Sequence, residues 1–279
     1  MQKKIAVIND LSGYGRCSLT VAMPILSVMR YQCCPVPTAI LSNHTGFHTF
    51  FYDDYTEKLT AYIGAWERLG LSFDAVLTGF FGSAEQIRLV TEIVNGMKKK
   101  GSAVIVDPVM GDDGELYQTY TEEMCGRMRE LAALSDVVVP NVTECCLLTG
   151  MPYREAGFKR QELFAMALRL RDLGAKSVVI TGAREGSFLT NVVLEAGKAE
   201  AEFVRMRSLG VSRPGTGDVF SSVLAGAVLG GRPLAESVYL AARFVRDCIK
   251  KSDELGIPVL NGVCFEELLG KLGRGFVRS

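Results

Sequence analysis

Apolar residues in this chain fall into short unbroken runs set between longer amphipathic stretches. Ile5-Ala6-Val7-Ile8, Ala75-Val76-Leu77, Val104-Ile105-Val106, Val137-Val138-Val139 and Val178-Val179-Ile180 are mostly β-branched and do not alternate with polar residues. Runs of this kind suit strands buried on both faces, as in a parallel sheet. Residues 36–41 predict a further strand, and residues 188–194 with 201–206 predict a hairpin. Helical spacing predicts helices over residues 17–29, 55–69, 121–134, 160–173, 234–251 and 265–272. Pro24 is expected to kink the first of these or to lie close to its start. Ser83, with Gln86 at capping-box distance, predicts a helix start that runs on to about Lys100.

Strand and helix alternate from one end of the chain to the other. That order predicts a doubly wound α/β fold, with a mostly parallel sheet and helices on both faces. No linker, charge block, low-complexity tract or internal repeat interrupts it, so residues 1–279 are expected to form one domain.

The polar residues are not spread evenly over this pattern. They gather after the predicted strands, at residues 10–15, 42–46, 107–112, 141–144, 181–186 and 215–218. In open α/β sheets, ligands bind at the carboxyl ends of strands. The most informative of these segments is Pro214-Gly215-Thr216-Gly217-Asp218, which runs into the apolar stretch beginning at Val219. Two glycines allow a tight turn and close approach to a bound group. A helix beginning there would aim unpaired amides and positive partial charge at an anion. Asp218 adds a carboxylate able to accept a proton from a hydroxyl. Taken alone, the same residues also describe a turn followed by an acid that complements the helix dipole.

The other strand ends favour chemistry. Asp107, Asp112 and Asp113 crowd three carboxylates into one short segment, where they repel unless cations are present, although a solvated acidic turn would look the same. Residues 42–48 hold both histidines, His44 and His48, in a loop that Asn and Thr backbone bonds could equally close. Gly13-x-Gly15 after the first strand invites a dinucleotide reading. It fails because Ser18 stands where the third glycine belongs and no acid follows about 20 residues on. An anion cradle with carboxylates and no P-loop lysine fits phosphoryl transfer from a nucleotide, with magnesium held by carboxylates and waters.

Composition narrows the partners. The chain is 48% hydrophobic and 22% charged, with 31 basic residues balancing 31 acidic ones. Such a balance gives no global field for nucleic acid or an anionic membrane. No apolar run reaches the roughly 20 residues needed to span a bilayer, and the charged start lacks a signal region, so a cytoplasmic location is expected. Cys33-Cys34 and Cys145-Cys146 are adjacent pairs and no C-x-x-C occurs. The cysteines therefore read as small buried residues in a reducing compartment.

The segment Gly215-Thr216-Gly217-Asp218 resembles that of the ribokinase-like superfamily. Within it, the chain is similar to the pyridoxal kinase family at Ser42-Asn43-His44-Thr45-Gly46, Val76-Leu77-Thr78-Gly79-Phe80, Asp107-Pro108-Val109-Met110-Gly111 and Pro140-Asn141-x-x-Glu144. The resemblance implies ATP-dependent phosphorylation of the hydroxymethyl group of a B6 vitamer. It implies that Asp218 is the base and that Gly215, Thr216 and Gly217 form the anion hole. By the same resemblance Asp112 and Glu144 would position magnesium, and Asp107 with Thr181 would line a monovalent-cation site, taken as potassium. Asn141, Thr181, Gly182 and Gly217 would contact ATP. Asp10, Ser12, Thr45 and Phe80 would face the substrate, Phe80 standing where the family often has a stacking tyrosine. A homodimer is also implied.

The first loop departs from the pyridoxal kinase pattern. Asp10-Leu11-Ser12-Gly13 is closer to the hydroxymethylpyrimidine kinases of thiamine synthesis, an alternative that changes the substrate and keeps the reaction. A non-catalytic vitamer sensor on the same fold is the alternative from another class; it would not need Asp218. Asp10 is expected either to meet an amine on the substrate or to cap the following helix.

Overall fold

The computed structural model describes residues 2–275. In chain order the elements are β1 (Lys4–Tyr14), α1 (Ser18–Val28), β2 (Gln32–Asn43), β3 (Tyr52–Asp54), α2 (Thr56–Arg68) and β4 (Ala75–Thr78). There follow α3 (Ala84–Lys99), β5 (Ala103–Val106), β6 (Gly111–Asp112), β7 (Glu115–Leu116), α4 (Glu122–Ala133), β8 (Val137–Val138), α5 (Val142–Thr149) and α6 (Arg160–Asp172). The chain ends with β9 (Ser177–Glu185), β10 (Phe188–Leu194), β11 (Glu202–Arg207), α7 (Thr216–Leu229), α8 (Leu234–Glu254) and α9 (Leu269–Gly275). These elements fall into two compact units, residues 1–79 with 209–279 and residues 80–208.

In the first unit the strand order is β4-β1-β2-β3. β1 pairs in parallel with β2 and with β4, and β3 closes the edge antiparallel to β2. Ile5 to Ile8 and Ala75 to Leu77 are buried, as expected of strands covered on both faces. α1 packs on β1 and β2, α7 lies against α1 and β4, and α8 packs on α7. Pro24 lies inside α1, where it forgoes one helical hydrogen bond.

β1 is longer than its apolar run. Residues 10–15, expected as a turn, continue as strand to Tyr14 because β2 also runs on and supplies ladder partners at Ile40, Leu41 and Asn43. The register shifts between Asn9 and Leu11. A bulge of this kind re-aims the side chains next to it and is common near functional residues. β3 was not expected; Tyr-Asp-Asp has no apolar pattern and forms a strand only through its pairing with Ala39 to Leu41.

The second unit orders its strands β11-β10-β9-β8-β5, with β5, β8 and β9 parallel and the predicted hairpin β10–β11 antiparallel. β9 extends past Ile180 to Glu185 because β10 pairs with it along that length. Within the acidic segment, β6 and β7 form a small ribbon. Ser83 caps α3 by accepting from the Gln86 amide at 3.1 Å. Gln86 Oε1 reaches back to the Gly82 amide, one residue before the cap. Thr121 caps α4 in the same way through the Met124 amide. The class expected from the alternation, α/β with a mostly parallel sheet, is the class observed.

Candidate active site

In the first unit, Gly215 caps the start of α7, and its φ of 79° lies in the left-handed region. A Cβ built there would sit 1.7 Å from the Arg16 carbonyl oxygen, so only glycine fits. Thr216 Oγ1 donates to the Arg213 carbonyl at 3.0 Å, which ties its hydroxyl into the turn. Gly217 faces open space. The first-turn amides of the helix lack intrahelical acceptors and carry the positive end of its dipole. Asp218, the third residue of the helix, is half-buried beside them. Its Oδ1 accepts from Asn9 Nδ2 at 3.2 Å.

Asp10 and Ser12 meet one another. Ser12 Oγ donates to Asp10 Oδ2 at 2.8 Å, and both side chains are buried. Burial pushes the Asp10 carboxyl up, against hydrogen bonds from Ser18 and Ser12 that favour its ionised form. Cys17, not Asp10, occupies the cap position of α1, and it makes no side-chain capping bond. Thr45 is exposed. Its neighbour His44 is buried, with Nδ1 accepting from the Gly46 amide at 3.1 Å. The hydrogen therefore sits on Nε2, which donates to the Leu260 carbonyl at 2.8 Å.

The turn that His44 holds is a meeting point for two other segments. Arg213, 6% exposed, donates through Nη1 to the carbonyls of Ile257 and Pro258 at 2.8 and 3.2 Å. Its Nη2 pairs with Asp253 at 2.8 Å. Arg16 Nη1 donates to the Asn261 carbonyl at 3.1 Å. Residues 257–262 thus fasten the loop bearing Thr45, the turn before Gly215 and the end of the first loop.

In the second unit, Asp107 follows β5 and is buried, as is Glu144 in the first turn of α5. Asn141 Oδ1 accepts from the Glu144 amide while Glu144 Oε2 accepts from the Asn141 amide, both at 2.8 Å, a reciprocal capping box. Glu144 Oε1 also accepts from the Met110 amide at 3.2 Å. Burial, then the charge of Asp107, holds the Glu144 carboxyl well above the ordinary carboxylate range. Asn141 Nδ2 donates to the Gly111 carbonyl at 2.8 Å, joining α5 to the β6–β7 ribbon. Asp112 is exposed on that ribbon. Thr181 pairs with Asn141 across an isolated bridge, and the Gly182 amide donates to Asn191 Oδ1 at 3.2 Å. Phe80 is half-buried. Among the described residues no group of three or more His, Cys, Asp or Glu could hold a metal ion. The donors present are carboxylates in a repelling pair. That suits a hard cation bound through one or two protein oxygens, with substrate phosphates and waters completing its shell.

Asn9, His44 and Arg213 were not singled out as functional residues from sequence. The available signals were slight: an amide ending an apolar strand, a histidine inside a polar loop, and an arginine just before the glycine turn.

The phosphomethylpyrimidine kinase family model matches residues 26–261. A pyridoxine/pyridoxal/pyridoxamine kinase of Bordetella avium is 32% identical over 83% of this chain and 79% of its own length. A Bacteroides thetaiotaomicron protein, provisionally assigned as a phosphomethylpyrimidine kinase, superposes with a TM-score of 0.94 at 36% identity, over 97% of this chain and 94% of that one. Its orthorhombic crystal form was solved with pyridoxal. The pyridoxal kinase of Lactobacillus plantarum matches with a TM-score of 0.88 at 30% identity, over 98% and 97% of the two chains. The class is thus a kinase of ribokinase-like α/β fold. The chain belongs to the phosphomethylpyrimidine kinase family, with pyridoxal kinases among its relatives.

Proposed function

We propose that the protein phosphorylates the 5′-hydroxymethyl group of a B6 vitamer (pyridoxal, pyridoxine or pyridoxamine) with ATP as donor. The observation that carries this reading is Asp218 in the first turn of α7, three residues after the left-handed Gly215 and hydrogen-bonded to Asn9. Asp218 takes the proton of the hydroxymethyl group as its oxygen attacks the γ-phosphorus, and ADP leaves. The amides of Gly215, Thr216 and Gly217 stabilise the charge that develops on the phosphoryl oxygens. Thr45 and Phe80 serve the substrate ring. Asp10, buried and bonded to Ser12, acts on an amine-bearing substrate through its charge.

Residues of the second unit serve the nucleotide and its cations. Asn141, Thr181 and Gly182 contact ATP. Glu144 and Asp112 hold magnesium, directly or through water, and Asp107 with Thr181 holds a monovalent cation. A divalent ion supplies charge neutralisation at the phosphates when bound. Burial first and the charge of Asp107 second raise the Glu144 carboxyl, and a cation bound beside the pair would offset both and favour its ionised form. A second reading, hydroxymethylpyrimidine as substrate, is supported by the family description and by the Asp10-Leu11-Ser12-Gly13 start.

Asp218→Asn tests the proposal, because the amide keeps the shape and cannot accept the proton. General-base catalysis contributes typically 10²–10⁴-fold, so kcat should fall by about that much with nucleotide affinity kept. Near-normal turnover would make Asp218 a helix-dipole residue and overturn the assignment.

A further inference from the structure

We propose that Asn9 is a positioning residue that fixes the orientation of the Asp218 carboxylate; this rests on the reading of Asp218 as the base. Asn9 ends the apolar run of β1, at the point where the register with β2 shifts. Its Oδ1 accepts from the Asp10 backbone amide at 3.0 Å. An N–H can only donate, so the carbonyl end of the side chain faces Asp10 and the NH₂ end faces Asp218 Oδ1 at 3.2 Å. The amide has one orientation that satisfies both partners.

Gly79 completes the cradle. A Cβ at that position would lie 2.4, 2.5 and 2.7 Å from Nδ2, Cγ and Oδ1 of Asn9. The side chain is thus laid flat over the bare backbone of Gly79, whose own amide donates to the Ile8 carbonyl at 2.9 Å. Asn9 is 6% exposed, so its amide is largely shielded from solvent. A carboxylate held this way presents its basic oxygen without first having to turn, and small misplacements in such geometry cost large factors in rate.

The bond also acts on protonation. A donor to the ionised form favours that form. The Cys17 thiol ahead of α1 is pushed up by burial and then by the charges of Asp10 and Asp218. Asn9 is the neutral donor in this acidic corner.

The test compares wild type, Asn9→Leu, Asn9→Asp, Gly79→Ala and Asp218→Asn as full-length proteins. The readouts are kcat and KM for pyridoxal with ATP and magnesium over roughly pH 5–9, ATP affinity and thermal unfolding. Asn9→Leu should lower kcat by about 10–100-fold with ATP affinity within about twofold, and should move the acid limb of the profile up by about one pH unit. Asn9→Asp should move it further, because a second carboxylate then faces the first. Gly79→Ala keeps the amide but displaces it, and should reproduce part of both effects. An acid limb unmoved in all three variants, with Asp218→Asn inactive, overturns the positioning role and leaves the base intact. Uniform loss across pH that tracks only a lower melting temperature overturns it likewise. Turnover retained by Asp218→Asn instead sinks the underlying reading of the base.

Discussion

Gly215→Ala should damage the protein twice over, and Gly217→Ala should separate the two kinds of damage. At Gly215 the φ of 79° costs an L-residue about 1–2 kcal/mol. The new Cβ would meet the Arg16 carbonyl oxygen at 1.7 Å. A backbone oxygen cannot swing aside, so relief requires one loop to move by more than about 1 Å against close-packed surroundings. Together these imply about 3 kcal/mol or more, which for a chain of this size lowers the melting temperature by roughly 6–12 °C. Moving the anion-hole amides by about 1 Å should also lower kcat about 100-fold. Gly217 is different: its φ is not left-handed and no atom lies within 4 Å of its built Cβ. Gly217→Ala should leave stability unchanged or raise it by about 0.4–1 kcal/mol through the unfolded chain. If the open space is where the γ-phosphate sits, the methyl group should still lower kcat. Differential scanning fluorimetry with coupled ADP detection reads both quantities. A Gly215→Ala protein with wild-type melting and turnover would refute the packing described here. A fully active Gly217→Ala would refute the phosphate assignment.

Other outcomes follow from the same contacts. The raised Glu144 carboxyl means that the native state keeps a proton the unfolded chain has released, so stability should fall as pH rises above about 4.5, by at most about 1.4 kcal/mol per pH unit; Glu144→Gln should flatten this slope, and an equal slope in both proteins, measured by urea unfolding, would contradict it. Magnesium should raise the melting temperature of wild type most at neutral pH and much less in Glu144→Gln; activity that survives EDTA undiminished would remove metal from the account. Arg213→Lys cannot fork to Asp253 and to the carbonyls of Ile257 and Pro258 together, and should cost about 2–3 kcal/mol in chemical denaturation while also lowering kcat. A neutral Arg213→Lys would mean that residues 257–262 do not brace the turn before Gly215.

How far the chain could be read in advance depended on where its information is stored. Strands such as Ile5 to Ile8 declare themselves, because burial on both faces demands an apolar run. Caps at Ser83 and Thr121 were legible because a short oxygen side chain before an amphipathic stretch has one economical use. The continuation of β1 through Asp10-Leu11-Ser12-Gly13-Tyr14 was not, since polar residues that look like a turn are held extended by pairing with the distant β2. β3 is the same case in three residues. For the candidate site, the motifs named Asp218, Glu144 and its capping partner Asn141, but not Asn9 or Arg213. Asn9 and Arg213 act through partners 209 and 40 or more residues away in sequence, and no local pattern encodes such contacts. The mutual burial of Asp10 and Ser12 likewise appears only once β1 is seen to continue as a strand.

The central claim is the reaction itself, and a substrate panel tests it most directly. Purified protein with ATP, magnesium and potassium is given pyridoxal, pyridoxine, pyridoxamine or hydroxymethylpyrimidine in turn, and the 5′-phosphate or pyrimidine phosphate is measured alongside ADP. The account predicts stoichiometric phosphate transfer to at least one B6 vitamer, with kcat/KM above that for hydroxymethylpyrimidine and a loss of about 10²–10⁴-fold in Asp218→Asn. Transfer to hydroxymethylpyrimidine alone would contradict the substrate, and ADP release without any phosphorylated vitamer would contradict the reaction.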